Sequence, residues 1–437
     1  MRAEHGNSRA KAMALGLALL AMAGPVGAQT LGAGDLAGLK KIDAIAAGAD
    51  PTGGRDSAAA LAAAIAPGGV SLSIPCGTYR LLANVPVPSD TEILGAGDCT
   101  RLLIDPGMAP NLLFTKVLAS TTNVRSVFSN ADFEAGNSRI AIANLRVVAP
   151  KPLIQGQYHA FSFYRAAHVT VDHTSVEGAG TVHDGNHTVF ISSRAFRFTN
   201  NRHTGGGNEG SFDIWDGAED FVVSNNDCDG GGAIQRCFTV NGLSSGKASA
   251  HLRYVAKTTS NGILSKNVAK NVKNVGIMIV GLYNAGPPPV YGHVSGVKVR
   301  DNLVDGVTKF HGVWIGEADN VEAVGNTIRH AASSCIYVAS GGPKGQTSHI
   351  DLIGNRCEDS GGAGAIVIGN TADAPDHVLL DRNEISSQGA ATYGYSVLIR
   401  RGASAVRLVS GPMRPGRTGR VKDGGKDTNI DGASPSR

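Results

Sequence analysis

The stretch GSFDIWDGAEDFVVSNND, residues 210–227, places a tryptophan between two carboxylates. Trp215 follows Asp213 by two positions and directly precedes Asp216. Aromatic residues make up only 5% of the chain, and it has only two tryptophans, so the placement is unusual. An exposed indole can stack on the C–H face of a sugar ring, and two nearby carboxylates can act as acid and base in glycosidic bond cleavage. These three residues are therefore the first candidates for chemistry.

The same stretch is one copy of a repeat. Short apolar-x-apolar runs recur every 23 to 39 residues: HAFSFYR, HTVFISS, GSFDIWD, RCFTVNG, VGIMIVG, HGVWIGE, SCIYVAS, GAIVIGN and YSVLIRR. A second run in most repeats closes on an asparagine, giving the row Asn201, Asn226, Asn267, Asn302, Asn326, Asn355 and Asn383. Short strands at this period predict an all-β parallel solenoid, because each coil buries its apolar face only against the next. Asparagine tolerates left-handed turns, and its amide can hydrogen-bond along stacked turns.

Alternation within each strand assigns its two faces. If Phe212 and Ile214 point inward, Asp213 and Trp215 point outward. The same alignment predicts an exposed middle row made of Ser162, Phe190, Asp213, Thr239, Met278, Trp314, Tyr337, Val367 and Leu398. A next outward row holds Tyr164, Ser192, Trp215, Asn241 and Val280. Neighbouring coils lie ~4.8 Å apart, so each row forms a ladder along the exterior.

The leading hypothesis is hydrolysis of a polysaccharide in a groove on this exterior. Asp213 and Asp216 can lie up to ~10 Å apart at Cα in an extended strand. This spacing accommodates an inverting pair, whose carboxyl groups lie roughly 6.5–9.5 Å apart. The expected catalytic residues are Asp213, Asp216 and Arg236, and the expected substrate-binding residues are Trp215, Trp314, Tyr337, Glu317, His187 and His311. Glu317 lies about three coils from Asp216, or ~14 Å, which favours a binding role.

Two alternatives remain open. A polysaccharide lyase acting on uronates needs the sugar carboxylate neutralised, by calcium or by cationic groups, and a base for the C5 proton. Residues available for that work are His187, Arg236, Lys257 and Tyr337, with Asp213, Asp216 and Asp227 as oxygen donors for calcium. Hydrolysis requires no cofactor. The third possibility is a non-catalytic glycan-binding or structural protein.

The segment before the repeats carries more specific motifs. Residues 48–97 contain Asp50-Pro51-Thr52, an alanine-rich stretch after Asp56, Ile74-Pro75 followed by Gly77-Thr78-Tyr79, and Leu94-Gly95-Ala96-Gly97. This segment resembles the opening of pectate-lyase-superfamily proteins. The resemblance implies a single-stranded right-handed parallel β-helix whose first coil is plugged by an N-terminal capping helix. Asp56 can cap that helix, and Gly68-Gly69 can end it.

The resemblance predicts the fold but not the activity. The family includes lyases, glycosidases, epimerases and phage or adhesive fibres. The arginine signature of classical pectate lyases, the paired-aspartate motifs of polygalacturonases and the aspartate-proline-histidine motif of alginate epimerases are absent. No catalytic role is therefore transferred from the family. Exterior strips in such folds can also pack into homo-oligomers, so the sequence leaves the oligomeric state open.

The N-terminus and the cysteines predict export. A basic leader, a short apolar run at residues 13–23 and Val26-Gly27-Ala28 are typical of a signal peptide spanning residues 1–28. The run is too short for membrane insertion. Six cysteines suit the secreted or periplasmic compartment. By sequence proximity we expect the structural pairs Cys76–Cys99, Cys228–Cys237 and Cys335–Cys357, although six cysteines allow 15 connectivities.

Charge places limits on partners and on the C-terminal boundary. The formal net charge is +4. Residues 411–437 contribute six positive and three negative side chains, so the rest is nearly neutral and gives no case for nucleic acid binding. We expect one β-helix domain over residues 29–410, followed by a disordered basic tail.

Overall fold

The computed structural model describes residues 36–117, 123–149, 157–178, 186–205, 210–242, 258–281, 283–284, 290–339, 346–370, 374–409 and 411–431. The expected signal peptide lies outside these ranges. The N-terminal elements are β1 (Lys40–Asp43), α1 (Ala58–Ile65), β2 (Val70–Ile74), β3 (Gly77–Leu81), β4 (Val85–Val87), β5 (Thr91–Gly95), β6 (Thr100–Ile104), α2 (Leu112–Val117), β7 (Val124–Asn130) and β8 (Ser138–Val148).

The following strands build the repeats. They are β9 (Gln157–Tyr164), β10 (Ala167–Glu177), β11 (Asn186–Ile191), β12 (Arg194–Thr199), β13 (Arg202–Thr204), β14 (Gly210–Trp215), β15 (Glu219–Ser224), β16 (Asp227–Asp229), β17 (Arg236–Asn241), β18 (Thr259–Ser265), β19 (Val268–Val272), β20 (Val275–Val280), β21 (Tyr283–Asn284), β22 (Val290–Tyr291), β23 (Val294–Arg300) and β24 (Leu303–Val307). The remainder are β25 (His311–Gly316), β26 (Ala318–Val324), β27 (Thr327–Ala331), β28 (Ile336–Val338), β29 (Ser348–Ile353), β30 (Arg356–Glu358), β31 (Gly364–Ile368), β32 (Asp376–Asp381), β33 (Glu384–Ser386), β34 (Tyr395–Ile399), β35 (Ser404–Leu408), β36 (Gly419–Asp423) and β37 (Asn429–Ile430).

The strands form a right-handed parallel β-helix, as predicted. One strand per coil enters a 12-stranded front sheet, in the order β36-β34-β31-β28-β25-β20-β17-β14-β11-β9-β7-β4. The other strands of each coil enter a 23-stranded back sheet, and β21 and β22 form a small antiparallel hairpin. The coil that contains residues 210–227 runs from β14 in the front sheet to β15 and β16 in the back sheet. Parallel neighbours bury the apolar residues that point inward from both sheets.

The predicted asparagine row is a buried ladder of hydrogen bonds. The backbone N–H and the side-chain Nδ2 of Asn267 both donate to Oδ1 of Asn302, at 2.9 and 3.0 Å. Asn302 repeats this pattern toward Oδ1 of Asn326, at 3.0 and 2.8 Å. The left-handed backbone conformation falls on the residue before each ladder position: Asn200, Asn225, Lys266, Asp301, Gly325, Gly354 and Arg382. The ladder therefore satisfies buried backbone groups at a corner where the chain turns sharply.

One front-sheet strand differs by one residue from the predicted register. In β11, Phe190 pairs with Ile214 and points inward, where its ring stacks 4.1 Å from that of Phe196. Val189 therefore takes the middle outer position, and Ile191 replaces Ser192 in the next row. The prediction that Phe190 is exposed is wrong. The run Val189-Phe190-Ile191 is apolar in both phases, so alternation alone could not choose between them, and the interior takes the large ring.

Helix α1 closes the N-terminal end of the solenoid, as the resemblance implied. Its buried residues Leu61 and Ile65 join the main apolar core. Ser57 is the N-cap residue, while Oδ1 of Asp56 accepts the backbone N–H of Ala58 at 3.0 Å. The alanine-rich sequence therefore forms a short, slim helix that fits over the first coil.

The three predicted disulfides are all formed: Cys76–Cys99, Cys228–Cys237 and Cys335–Cys357. The second pair connects β16 of the back sheet to β17 of the front sheet. Cys335 and Cys357 are likewise buried in the core. Each bridge therefore crosslinks neighbouring parts of the coil, where sequence proximity also implies spatial proximity.

The solenoid continues beyond residue 410, where a disordered tail was expected. Strand β36 pairs with β34, and β37 pairs with β35. Val421 is buried in the core, with Met413 and Ile430 packed against it. Apolar residues are few in this polar, glycine-rich segment, so its composition did not indicate the strands that their spacing allows. Residues 432–437 lie outside the described ranges.

Candidate functional site

The middle outer row of the front sheet is continuous over the described strands. Strand pairing aligns Ser129, Ser162, Val189, Asp213, Thr239, Met278, Trp314, Tyr337, Val367, Leu398 and Lys422. Apart from position 190, every predicted member of this row is in place. The prediction that this row is exposed is wrong for most of its predicted members: Ser162, Asp213 and Thr239 are 0% exposed, Met278 and Val367 2%, and Leu398 9%, whereas Trp314 and Tyr337 are partly exposed. In the next outward row, Tyr164, Asn241 and Val280 are likewise buried.

Of the three expected catalytic residues, Asp213 and Arg236 lie on the adjacent strands β14 and β17, and Asp216 lies in the turn after β14. Arg236 begins β17, where it pairs with Gly210 of β14. The Asp213 carboxylate folds back over Gly210, since a Cβ at that position would lie 2.7 Å from Oδ1 of Asp213. The carboxylate therefore points toward the N-terminal ends of β14 and β17, where Arg236 lies. Any side chain at position 210 would displace the carboxylate, so the close approach of Asp213 requires glycine at this position.

Asp216 occupies the turn that ends the same strand. Its backbone is left-handed, with φ of 54°, and the residue is 6% exposed. The Asp216 carbonyl accepts a hydrogen bond from Oγ of Ser192 at 2.7 Å. Asp213 and Asp216 are thus both buried and lie on either side of the half-buried Trp215.

An apolar cluster covers the exterior beside Trp215. Phe114 of α2 packs there with Val124, Tyr164, Val189 and Ile191, and Phe133 and Trp215 lie against the same group. Helix α2 was not predicted from the sequence. It explains why an apolar strip on this part of the exterior is not bare.

A buried histidine lies under this cover. The ring of His159 is 5.7 Å from that of Phe114, and burial lowers the pKa of His159 to about 3. Neither ring nitrogen of His159 has a hydrogen-bond partner among the described residues. The imidazole is therefore neutral at physiological pH.

Three expected site residues, His311, Trp314 and Tyr337, form an aromatic patch together with Phe310. The rings of His311 and Tyr337 stack at 4.3 Å with an interplanar angle of 8°. Nε1 of Trp314 donates to the carbonyl of Ala339 at 2.8 Å, which fixes the indole. Burial lowers the pKa of His311 to about 4, so this ring is also neutral. Trp314 and Tyr337 are half-buried, and Phe310 is 41% exposed.

Phe310 was not singled out from the sequence. It lies in the turn before β25, outside the strand alternation that identified its neighbours. Its only sequence signal was its position directly before His311. In the structure Nζ of Lys309 lies 4.9 Å from the Phe310 ring, which adds a cation to the edge of the patch.

The two groups are separated along the solenoid axis. Asp213 is followed in its row by Thr239, Met278 and then Trp314, which places the aromatic patch three steps away, or ~14 Å. Glu317 follows Trp314 in the turn after β25 and is 4% exposed. The side chain of His187 lies outside the described part of the structure.

The described ranges contain no group of three or more His, Cys, Asp or Glu side chains placed to hold a metal ion. Asp227 belongs to β16 of the back sheet, so it is not grouped with Asp213 and Asp216. Among the described residues, no helix has the length and apolar character needed to cross a bilayer.

Comparison of the whole structure with solved structures gives clear matches. The A-module of the Azotobacter vinelandii mannuronan C-5 epimerase AlgE4 matches with a TM-score of 0.61 and 16% identity, covering 90% of this chain and 100% of that one. The Streptococcus pneumoniae surface adhesin PfbA matches with a TM-score of 0.62 and 14% identity over 89% and 91% of the two chains. The Yersinia enterocolitica family 28 exopolygalacturonase matches with a TM-score of 0.60 and 13% identity over 90% and 79%.

This chain has the pectin-lyase-like β-helix fold. No family model matches the sequence, and no curated protein does. The structures that it resembles include, by their names, a mannuronan C-5 epimerase, a surface adhesin and an exopolygalacturonase. At these identities the likeness concerns the fold, and the activity has to be argued from the site.

Proposed function

We propose that this protein is exported, binds a polysaccharide along the outer face of the front sheet and hydrolyses its glycosidic bonds. The observation that carries the proposal is that the Asp213 carboxylate and the partly exposed rings of Trp314 and Tyr337 occupy one continuous ladder row, with Asp216 in the turn after the strand that holds Asp213. Sugar rings bound parallel to the solenoid axis can stack on Trp314 and Tyr337 while the chain extends toward Asp213. The three disulfides suit the oxidising compartment that export implies.

In this proposal Asp213 and Asp216 share the acid and base roles. One carboxyl group protonates the leaving oxygen, and the other activates water on the opposite face of the sugar. Arg236 begins the neighbouring strand, and the Asp213 carboxylate points toward that end of the strands. Its guanidinium stabilises negative charge on that carboxylate or on the substrate. Trp215, His311, Glu317 and His187 complete the proposed substrate contacts.

The test is product formation from a panel of neutral and uronate polysaccharides. Release of reducing ends without an unsaturated product supports hydrolysis. An unsaturated product that forms only with calcium supports the lyase instead. Asp213→Asn should abolish turnover, and Asp381→Asn, on the back sheet, provides a matched control that should retain it.

A non-catalytic glycan-binding protein is the second candidate, and the burial of both carboxylates favours it. Asp213 is 0% exposed and Asp216 is 6% exposed, so neither carboxyl group can contact a substrate without local movement. Binding without turnover predicts retention on a glycan affinity gel, loss of retention in Trp314→Ala, and no released sugar from any polysaccharide. Turnover by the wild-type protein would exclude this candidate.

A further inference from the structure

A trough crosses four coils on the outer face of the back sheet, away from the front-sheet site. Its volume is about 540 Å³. The floor is a single ladder row in which Glu322, Asp351, Leu379 and Arg407 are successive partners on β26, β29, β32 and β35. Two acids, an apolar side chain and a base therefore follow one another at ~4.8 Å intervals.

Two histidines form one wall of this trough. The rings of His349 and His377 are parallel within 4° and lie 4.9 Å apart. Nδ1 of His377 is hydrogen-bonded to Oδ2 of Asp376 at 2.6 Å, and Nδ1 of His349 is 3.2 Å from Oγ of Ser348. The Nε2 edges are therefore left for a ligand. Parallel rings at this distance do not converge on one metal ion, whose nitrogen ligands lie about 2.0–2.1 Å from it, so the wall suits an organic ligand.

At the acidic end of the trough, the carboxylates of Glu322 and Asp351 differ in their ion-pair partners. Nη2 of Arg300 lies 2.5 Å from Glu322, and Nζ of Lys298 lies 3.9 Å from it. Asp351 has no ion-pair or hydrogen-bond partner among the described residues. Burial, together with the neighbouring charge of Glu322, raises the pKa of Asp351. A cation bound beside Asp351 would offset both effects.

The opposite end carries a positive charge. Arg407 lies two ladder steps from Asp351, or ~10 Å. Within the described residues its ion pair is with Asp431, at a loose 3.9 Å between half-exposed side chains. A second cation would be repelled at this end, whereas a carboxylate would be attracted.

We propose that the trough binds a small zwitterion, with its ammonium group beside Asp351 and its carboxylate beside Arg407. An extended tripeptide spans ~10 Å between its termini, at about 3.3–3.6 Å per residue. An apolar central side chain would then lie over Leu379. A short peptide is accordingly the ligand class that the spacing favours, and the proposal is independent of the polysaccharide activity of the front sheet.

Calorimetric titration with Ala-Leu-Ala, its N-acetylated form and its C-amidated form tests this assignment. Both modified peptides should bind about fivefold more weakly or worse, because each lacks one charge. Asp351→Asn and Arg407→Gln should weaken binding of the free peptide similarly, while Asp305→Asn, which lies outside the trough, should not. Equal affinities for the three peptides, unchanged affinity in Asp351→Asn, or no binding to the wild type would overturn the proposal. Binding of a glucosamine–glucuronate disaccharide in place of the peptides would overturn the peptide class.

Discussion

Replacing Asn302 with alanine is expected to lower the free energy of unfolding by about 3–9 kcal/mol. The Asn302 side chain makes four hydrogen bonds, accepting the N–H and Nδ2 of Asn267 and donating to Leu264 O and Asn326 Oδ1, all at 2.8–3.0 Å. Asn302 is 1% exposed, so water cannot replace these bonds. Each bond contributes about 0.5–1.5 kcal/mol net, and the stranded N–H of Asn267 costs about 1–3 kcal/mol more.

Denaturant unfolding followed by far-ultraviolet circular dichroism measures this loss. The matched control is Asn271→Ala, at an exposed corner of the same solenoid, where the side chain makes one hydrogen bond, to Asp229 at 2.9 Å. The control should lose about 1 kcal/mol, largely because its left-handed backbone disfavours alanine. A loss of under about 1 kcal/mol for Asn302→Ala, or equal losses in the two variants, would refute the claim that the buried ladder stabilises the fold.

Three further predictions concern stability. His159, His203 and His311 have pKa values lowered by burial to about 3, 4 and 4, from 6.5, so unfolding takes up protons as the pH falls below about 6.5. Each should cost about 2 kcal/mol of stability at pH 5 relative to pH 7. A denaturant midpoint that is no lower at pH 5 than at pH 7 would contradict the burial of the three rings. Phe190→Ala should cost about 3–5 kcal/mol and Ser192→Ala under about 1 kcal/mol; losses under about 1 kcal/mol for both variants in thermal melts would restore the register expected from the sequence, in which both side chains face outward. Reduction and alkylation of the cysteines, whose bridges have sequence separations of 23, 9 and 22, should lower the melting temperature; unchanged melting would show that the bridges do not stabilise the fold.

Much of the fold followed from the sequence because its signals repeat. The asparagine row recurs once per coil, so seven weak turn signals combine into one strong prediction. The two cysteines of each pair lie in the same or adjacent coils, which made proximity in sequence a good guide to pairing. Similarly, the alternation in GSFDIWD has only one apolar phase, and it placed Phe212 and Asp213 on their correct faces.

The remaining features depend on contacts that alternation does not encode. Val189-Phe190-Ile191 fits either phase, and only the space beside Phe196 decides which ring enters the core. Exposure on the exterior depends on what packs over a strand, as Phe114 of α2 does beside Trp215. The sequence therefore identified the row that holds Asp213, whereas its burial required the structure.

The most direct test of the central claim is a crystal structure of Asp213→Asn with a bound oligosaccharide. We expect sugar rings along the front sheet, stacked on Trp314 and Tyr337, with the chain parallel to the solenoid axis and reaching position 213. The bound chain should cover the three ladder steps between these positions, or ~14 Å. An oligosaccharide bound to the back sheet, or a front sheet whose aromatic patch makes no contact with the sugar, would show that the front sheet is not the polysaccharide site.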